Sequence, residues 1–251
     1  MTPKIIFEDE SLLVLDKPAG MIVNNADTTK ELVTVQDWVE DYLKIRSTKH
    51  EIRNKSENSN DQSGFEFRNS DLEFGRRAGI VHRLDKETSG ILLVAKTLPA
   101  FINLQAQFKE RKVQKTYIAL AHGKIEPAEG EINVSVGRLP WNRKRFGVIA
   151  EGRESVTKYR VIKNYEDLTL VELYPKSGRT HQIRVHLQYI KHPIFADPLY
   201  AGRKTSRNDR KLLSRVFLHA SKISFFHPKT QELLSFESPL PEDLKQFLSG
   251  L

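Results

Sequence analysis

Short apolar segments follow one another along the second half of the chain, and no long helical pattern separates most of them. Such segments, each rich in β-branched and aromatic residues, lie at 116–122, 131–137, 144–150, 155–163 and 168–174. Runs of successive strands with few interspersed helices are typical of α+β proteins rather than of alternating α/β proteins. The pattern therefore predicts an α+β fold with a mixed, mostly antiparallel β-sheet and flanking helices.

The remaining segments complete this prediction. Further strands are expected at 4–8, 11–16, 80–81, 91–95, 216–225 and 232–237. One helix is expected to begin after Thr34, because Thr34 and Asp37 have the spacing of a capping box. The other helices are expected at 98–111, 180–190 and 207–214, and after Pro241.

One polar segment interrupts the pattern. Between Ser47 and Ser63 the only apolar residue is Ile52, so this stretch cannot bury enough surface to order itself. A flexible polar insertion is expected at about 47–77, in which Phe65, Phe67 and Phe74 could dock the second half. The chain as a whole, 1–251, is expected to be a single domain.

Composition narrows the function classes. The 251 residues include no cysteine, which excludes disulfides, thiolate metal sites and cysteine nucleophiles. No apolar run approaches the roughly 20 residues of a membrane helix, and the first residues lack the pattern of a signal peptide. The expected location is the cytoplasm. The net charge of +8 is concentrated at 138–160, 176–191 and 203–215, which favours a polyanionic partner over scattered solvated loops.

A first polar motif, His82–Gly90, lies between two apolar strands. Its Asp85 has Arg83 and Lys86 nearby in sequence, and nearby cations keep a carboxylate ionised and able to act as a base or nucleophile. The alternative is a turn in which Asp85 and Thr88 bond to the local backbone. On local chemistry alone, the turn is the favoured interpretation.

A second motif, 176–184, opens a helix. Thr180 is the expected N-cap, and the free N–H groups of the first turn together with Arg179 would attract a phosphate or carboxylate. His181 and Arg184 fall on one helix face and Ile183 on another. The alternative is an ordinary amphipathic helix with a solvated basic face.

Other chemistries fit the pattern less well. A metal site and a hydrolase triad of Ser89, His82 and Asp85 are both conceivable, but the compact metal-binding spacings and the G-x-S-x-G elbow are absent. The residues that could contribute to such a metal site are His82, His181, His186, Asp85 and Asp197. By itself, Tyr117 would be a core or cross-strand aromatic. Trp141 could stack on a nucleobase, although packing is the more common use of such a residue.

The motifs taken together resemble those of the RluA-type family of pseudouridine synthases. The family pattern H-R-L-D-x-x-T-S-G-L-L occurs as His82–Leu92, with Ile91 in place of Leu, and G-R-T-H-Q-I-R-V-H-L occurs intact at 178–187. K-x-Y-x-A occurs at 115–119, the closing pattern at 218–228, and Asp16–Gly20 also matches. The five motifs occur in family order between about residues 5 and 247.

The resemblance implies a catalytic domain that isomerises uridine in ribosomal or transfer RNA to pseudouridine, with no cofactor and no metal. It implies that Asp85 is the catalytic carboxylate, that Tyr117 stacks on the target base, and that Arg179 pairs with Asp85. Arg83 corresponds to a residue that fills the gap left by the flipped nucleotide. The candidate RNA-binding residues are His82, Arg83, Lys115, His181, Ile183 and Arg184.

The chain also departs from the family pattern. It is expected to lack the N-terminal S4-type RNA-binding module of many relatives, so the basic clusters at 138–160 and 203–215 are candidates for gripping RNA. Ala196 replaces the usual glycine before Asp197, which could alter a turn. A monomer without an obligatory protein partner is expected. The competing hypotheses are a non-enzymatic RNA-binding module and a metal-dependent hydrolase.

Overall fold

The computed structural model describes residues 1–25, 32–43, 63–143 and 145–251. Eleven strands and six helices lie in this part of the chain. The strands are β1 (Lys4–Glu8), β2 (Leu12–Lys17), β3 (Ser89–Ala95), β4 (Gln114–His122), β5 (Glu129–Asn133), β6 (Val136–Arg138), β7 (Phe146–Val148), β8 (Val156–Asn164), β9 (Leu168–Pro175), β10 (Leu218–Phe226) and β11 (Leu233–Glu237). The helices are α1 (Val35–Tyr42), α2 (Ser63–Arg77), α3 (Leu98–Lys109), α4 (Gln182–Tyr189), α5 (Arg203–Leu212) and α6 (Glu242–Ser249).

The chain divides into two compact units, a division that the sequence patterns do not indicate. Unit 1 comprises Met1–Lys86, Ile91–Lys112 and Phe225–Leu234. Unit 2 comprises Glu87–Gly90, Val113–Ser224 and Ser235–Leu251. The motif at 82–90 therefore contributes residues to both units.

In unit 1, β1 pairs antiparallel with β2, and β2 is the neighbour of β3. Residues 12–15 and 92–95 have no solvent exposure, as expected for strands whose sequence is continuously apolar rather than alternating. Thr34 caps α1 through the expected capping box with Asp37. The central strands of unit 1 thus form a rigid core beside the loop that carries Asp85.

Helix α2 lies inside the segment expected to be a flexible insertion. Its Phe74 packs edge-to-face on Phe101 of α3, with ring centroids 5.6 Å apart, as the expected docking of Phe74 requires. The side chains of Phe65 and Phe67 and the structure of residues 44–62 lie outside the described residues. Flexibility therefore stays a prediction for 47–62, while the second half of the insertion is helical.

In unit 2, the strand order is β10-β4-β9-β8-β5, and each of these neighbours is antiparallel to the next. The first two residues of β3 pair in parallel with His219 and Ala220 of β10. Strands β6 and β7 form a separate antiparallel hairpin, and β11 pairs with β10. The predicted α+β class with a mixed, mostly antiparallel sheet is confirmed.

Gly90 makes the parallel pairing possible. Its φ of +112° lies in a region that residues with side chains rarely adopt. A Cβ atom at this position would lie 2.2 Å from the carbonyl oxygen of Ala220, far inside van der Waals contact. The close approach of β3 to β10 therefore requires glycine.

The structure bears on the expectations for Thr180 and Ala196. Thr180 is not the N-cap of α4: the N-cap is His181, which has a left-handed φ of 57° and makes no side-chain capping bond. Ala196 keeps the left-handed conformation that a glycine would favour, with φ of 60°. Its N–H donates to Asp209 at 3.0 Å and its carbonyl accepts from Arg210 at 3.0 Å, so hydrogen bonds hold the turn in spite of the methyl group.

No helix in the described ranges is both long enough and apolar enough to span a bilayer.

Candidate active site

The loop that carries Asp85 is fixed at its start by His82. The Leu93 N–H of β3 donates to Nε2 of His82 at 2.9 Å, and the imidazole stacks on Phe108 with ring centroids 5.0 Å apart. His82 therefore ties the loop to the core of unit 1. Asp85 is half-buried and Arg83 is exposed, which leaves the Arg83 guanidinium accessible to a ligand.

The backbone immediately after Asp85 is fixed by the segment that contains Lys17. The carbonyl of Lys86 accepts hydrogen bonds from the Lys17 ammonium at 3.2 Å and from the Gly20 N–H at 2.8 Å. Lys17 is fully buried, and its ammonium also donates to the carbonyls of Pro18 and Met21 at 2.9 and 2.8 Å. A fixed backbone on both sides restricts where the Asp85 carboxylate can point.

Glu87 is held within unit 2 by two donors. Its Oε2 accepts from Arg210 of α5 at 2.5 Å and from the Val216 N–H at 3.0 Å. Because Glu87 lies two residues after Asp85, this clamp fixes the segment that follows the carboxylate. Sequence reasoning did not single out Glu87 or Arg210, and only their opposite charges could have suggested the pair.

Ser89 belongs to a buried polar network in unit 2. Its hydroxyl lies 3.0 Å from Nδ1 of His219 and accepts from Arg215 at 3.1 Å. Arg215 in turn forms a bidentate ion pair with Asp243 of α6, at 2.6 and 2.9 Å. This network contradicts the hydrolase interpretation, because the Ser89 hydroxyl is committed to His219 and Arg215 while His82 Nε2 accepts from the backbone.

Strand β4 brings Lys115 and Tyr117 to the turn that precedes α4. The Lys115 ammonium donates to the carbonyl of Ser177 at 3.2 Å, and burial lowers the pKa of this lysine to about 8. Tyr117 is half-buried and packs against the apolar core of unit 2, which includes Ile183. Tyr117, expected to stack on the target base, and Ile183, a candidate RNA-binding residue, thus belong to one apolar cluster.

Gln182 organises the turn that contains Arg179. Its Oε1 accepts from the Ser177 hydroxyl at 2.8 Å and from the Arg179 N–H at 3.0 Å. Its Nε2 donates to the Val156 carbonyl and the Thr157 hydroxyl, both at 3.1 Å. Gln182 is buried, and sequence reasoning missed its role. A polar residue at the start of the helix that faces inward was the available signal.

The guanidinium of Arg179 contains a buried atom with unused hydrogen-bonding capacity. Among the described residues, its Nε has no hydrogen-bond partner. A buried donor left without an acceptor is costly, so such a group is suited to receive a carboxylate or phosphate. The expected pairing of Arg179 with Asp85 stays a prediction, because the two residues belong to different units.

Arg184 is used inside the protein. It is buried, and its guanidinium forms a bidentate ion pair with Asp197 at 2.7 and 2.9 Å. Asp197 also accepts from the N–H groups of Leu199 and Tyr200, at 2.9 and 3.1 Å. The alternative of a solvated basic face does not hold at Arg184, and its predicted role as an RNA-binding residue stays a prediction. The ion pair favours a positioning role over direct contact with RNA.

His181 is linked to the β6–β7 hairpin through Tyr200. The Tyr200 hydroxyl lies 2.9 Å from Nδ1 of His181 and accepts from the Phe146 N–H at 3.1 Å. The Arg145 guanidinium lies 5.3 Å from the centroid of the Tyr200 ring, within the range of a cation–π contact. The start of α4 and the hairpin are therefore one connected structure.

The predicted residues fall into two groups. His82, Arg83 and Asp85 lie in unit 1, whereas Lys115, Tyr117, Arg179, His181, Ile183 and Arg184 lie in unit 2. Within the described ranges, no group of three or more histidines and acids could hold a metal ion. The metal-site hypothesis gains no support from these residues.

Comparison with known proteins gives a consistent result. Residues 11–189 match the family model described as RNA pseudouridylate synthase. "Ribosomal large subunit pseudouridine synthase D" of Neisseria meningitidis serogroup B is 37% identical over 100% of this chain and 62% of its own length. The protein of the same name from Nitrosomonas europaea is 38% identical over 99% of this chain and 65% of its own length. The chain thus spans a little under two thirds of these relatives.

A third relative and a solved structure extend this comparison. "Uncharacterized RNA pseudouridine synthase YlyB" of Bacillus subtilis is 36% identical over 98% of this chain and 72% of its own length. The solved structure of human RNA pseudouridylate synthase domain containing 1 has a TM-score of 0.66 at 23% identity, covers 99% of this chain and 94% of its own, and shows a shared fold. From the family model and these relatives it follows that the chain belongs to the RNA pseudouridylate synthase family.

Proposed function

We propose that this chain isomerises uridine to pseudouridine in ribosomal RNA, with Asp85 as the catalytic carboxylate. The observation that carries the proposal is the motif His82–Leu92, which departs from the family pattern only at Ile91, in a chain of this family, with the backbone after Asp85 held by Lys17 and Gly20. Lys86 and Glu87 anchor the segment on either side of the division between the two units. A catalytic group must be held in a narrow range of positions, and these anchors supply that restraint.

The reaction balances without an added reagent. The bond between N1 of uracil and C1′ of ribose breaks, a bond from C5 to C1′ forms, the C5 proton leaves, and N1 gains a proton. Two routes use the same carboxylate. Asp85 can attack C1′ to give a covalent intermediate, or it can remove the C2′ proton to trigger departure of the base.

The target base must leave its stack before its glycosidic bond can be reached, and an extruded base needs an aromatic or apolar wall. Tyr117 and Ile183 are proposed to form part of that wall, since both belong to the apolar cluster of unit 2. Tyr117 is also the candidate for handling the C5 proton. A closed pocket would keep the detached uracil beside C1′ until the new bond forms.

Arg179 is proposed to pair with the Asp85 carboxylate. Inside a dry pocket an unpaired carboxylate would tend to take up a proton, and a guanidinium partner prevents this. The buried Nε of Arg179, which has no hydrogen-bond partner among the described residues, supports such a pairing. Gln182 holds the Arg179 backbone in place and so fixes the base of that side chain.

The substrate is proposed to be large-subunit ribosomal RNA. Two relatives that match nearly the whole of this chain carry that description in their names. The basic clusters and the exposed Arg83 are suited to binding the RNA backbone. Transfer RNA is the alternative substrate.

The decisive experiment uses ribosomal and transfer RNA that lack pseudouridine. Each RNA is incubated with the native protein, with Asp85→Asn, and with Asp167→Asn, both with and without a chelator, and pseudouridines are mapped by a chemistry that marks each position. Asp167 is an exposed acid, so its variant is a matched control for the loss of one carboxylate. We expect marks in ribosomal RNA from the native protein and from Asp167→Asn, and none from Asp85→Asn.

Each other outcome changes one part of the proposal. Marks from Asp85→Asn would remove the catalytic role of Asp85 and leave the activity. Marks confined to transfer RNA would overturn the substrate. Folded native protein that binds RNA and leaves no marks would favour the non-enzymatic RNA-binding hypothesis, and activity that the chelator abolishes would favour metal-dependent chemistry.

A further inference from the structure

The loop between β6 and β7 presents an aromatic side chain to solvent. Trp141 is 77% exposed, more than any other aromatic residue in the part of the chain that the structure describes. Packing, the more common use of tryptophan, is therefore not its use in this structure. A large exposed indole loses the stabilisation that burial would give, which calls for an explanation in terms of a ligand.

The loop that carries Trp141 is tightly folded. The Leu139 N–H donates to the Arg145 carbonyl at 3.0 Å, the Asn142 N–H to the Leu139 carbonyl at 3.2 Å, and the Arg145 N–H to the Asn142 carbonyl at 2.8 Å. These bonds close the loop around the tryptophan. The indole is thus displayed by a defined turn, which reduces the entropy that a ligand contact would cost.

Exposed arginines lie on both sides of Trp141 in the sequence. Arg138 and Arg143 are exposed, and no acidic residue occurs between positions 132 and 150. The Arg138 guanidinium lies 4.8 Å from the centroid of the Phe146 ring and donates to the Arg143 carbonyl, so it is held in place beside the tip. Exposed cations around an exposed aromatic ring match the two parts of a nucleotide, its phosphate and its base.

The base of the hairpin is fastened to the motif at 178–187. Phe146 of β7 bonds to the Tyr200 hydroxyl, which also bonds to His181 at the start of α4. The hairpin and the turn that carries Arg179 are therefore parts of the same connected structure within unit 2. A nucleotide bound at the tip of the hairpin would therefore be part of the same RNA molecule that binds to the rest of unit 2.

We propose that Trp141, Arg138 and Arg143 form a nucleotide-binding element in which Trp141 stacks on an unpaired base of the substrate RNA and Arg138 and Arg143 bind its phosphates. The inference rests on the proposed function in that the RNA is the one to be modified. Loss of a stacked aromatic residue typically weakens binding of single-stranded nucleic acid by about 5- to 100-fold. Most of that effect comes from stacking of an aromatic ring on the base, which a phenyl ring can also provide.

Binding is tested with the full chain and a short single-stranded RNA of mixed sequence. We expect Trp141→Ala to weaken the RNA affinity about tenfold or more, and Trp141→Phe to keep most of it. Phe226→Ala removes another exposed aromatic residue, one that lies outside the basic clusters, and should leave the affinity unchanged. The melting temperatures should stay equal, since an exposed side chain adds little stability. Native affinity in Trp141→Ala would overturn the proposal.

Fluorescence gives a direct readout of stacking. The chain has two tryptophans, so Trp38→Phe leaves Trp141 as the sole emitter. We expect its emission to be quenched when the single-stranded RNA is added. Unchanged emission at saturating RNA would show that the indole does not contact a base, and this result would overturn the proposal.

Salt dependence tests the role of the arginines. Arg143→Ala should lower the slope of log K against log salt concentration by about one, the value for one phosphate contact. An unchanged slope would remove Arg143 from the proposed element. A chain that quenches with RNA but makes no pseudouridine would overturn the proposed function alone, whereas an active chain whose Trp141→Ala variant binds normally would overturn this inference alone.

Discussion

Oε1 of Gln182 accepts a hydrogen bond from the backbone N–H of Arg179 at 3.0 Å, so a buried amide holds the residue that is proposed to pair with the catalytic carboxylate. We expect Gln182→Leu to lower kcat about tenfold or more, because a small displacement of a positioned group slows turnover strongly. Unsatisfied partners should also lower the free energy of unfolding by about 1–3 kcal/mol. Single-turnover kinetics well below the melting temperature separate the two effects. A native kcat in a destabilised variant would reduce Gln182 to a structural residue.

Arg179 itself can be tested by the balance between turnover and binding. We expect Arg179→Ala to lower kcat by about 100-fold with a much smaller loss of RNA affinity, since a preorganised charged donor acts mainly on the reacting groups. Arg179→Lys keeps the charge and loses the planar fork, so it should rescue little. Arg76→Ala, which removes an exposed arginine of α2 outside the basic clusters, is the control for both turnover and affinity. Equal losses of kcat and affinity would instead indicate a phosphate-binding role.

Removal of either partner of the buried Arg184–Asp197 pair is expected to destabilise the fold strongly. Removing one partner leaves an uncompensated buried charge, and Arg184→Met should therefore lower the free energy of unfolding by about 3–5 kcal/mol. Asp197→Asn should also destabilise, although its amide oxygen can still accept from Leu199 and Tyr200. Denaturant unfolding of both single variants and the double variant measures the coupling. Strict additivity of the two effects would contradict an energetic pair.

His186 gives unit 2 a dependence on pH. Burial lowers the pKa of His186 to about 4, whereas the unfolded chain has the ordinary value of 6.5. The unfolded state binds more protons between these values. Stability from this group is therefore complete above about pH 6.5 and is lost as the pH falls toward 4, by an amount on the order of 3 kcal/mol.

Denaturant unfolding across that pH range tests this expectation. His186→Asn should flatten the curve between about pH 6.5 and 4, because the titrating group is gone. His192→Asn, a substitution at a half-buried histidine outside the helix, should keep the native dependence. If the slope survives in His186→Asn, acid sensitivity in this window comes from other groups.

Much of the fold follows from local sequence signals. The capping box of Thr34 and Asp37 and the continuous apolar runs of β2 and β3 each specify their element without help from distant residues. Because the insertion is polar in composition, its sequence does not predict α2, which packs through Phe74 onto Phe101. Its docking depends on a contact between segments that are far apart in the chain, and no local pattern contains that information.

The start of α4 shows why local rules fail at a site. Thr180 has a side chain that is typical of an N-cap. However, the Gln182 side chain accepts a hydrogen bond from the Arg179 N–H, and the Gln182 backbone N–H donates to the Arg179 carbonyl at 3.0 Å. The turn at 179–181 is therefore closed by a buried side chain, and the helix begins later. The Arg184–Asp197 pair is a second case in which a local pattern fails. The sequence places Arg184 on a basic helix face but does not show that this side chain is buried and paired with Asp197.

The packing of Gly90 bears on how intolerance to substitution should be interpreted in this motif. A side chain at position 90 would collide with the Ala220 carbonyl, so variants at this position should accumulate poorly in cells. Variants of the half-buried Asp85 should accumulate normally and lack activity. In a mutational scan, both positions would score as intolerant under selection for function, and only a parallel measurement of protein abundance would separate the residue that the fold requires from the one proposed to perform the chemistry.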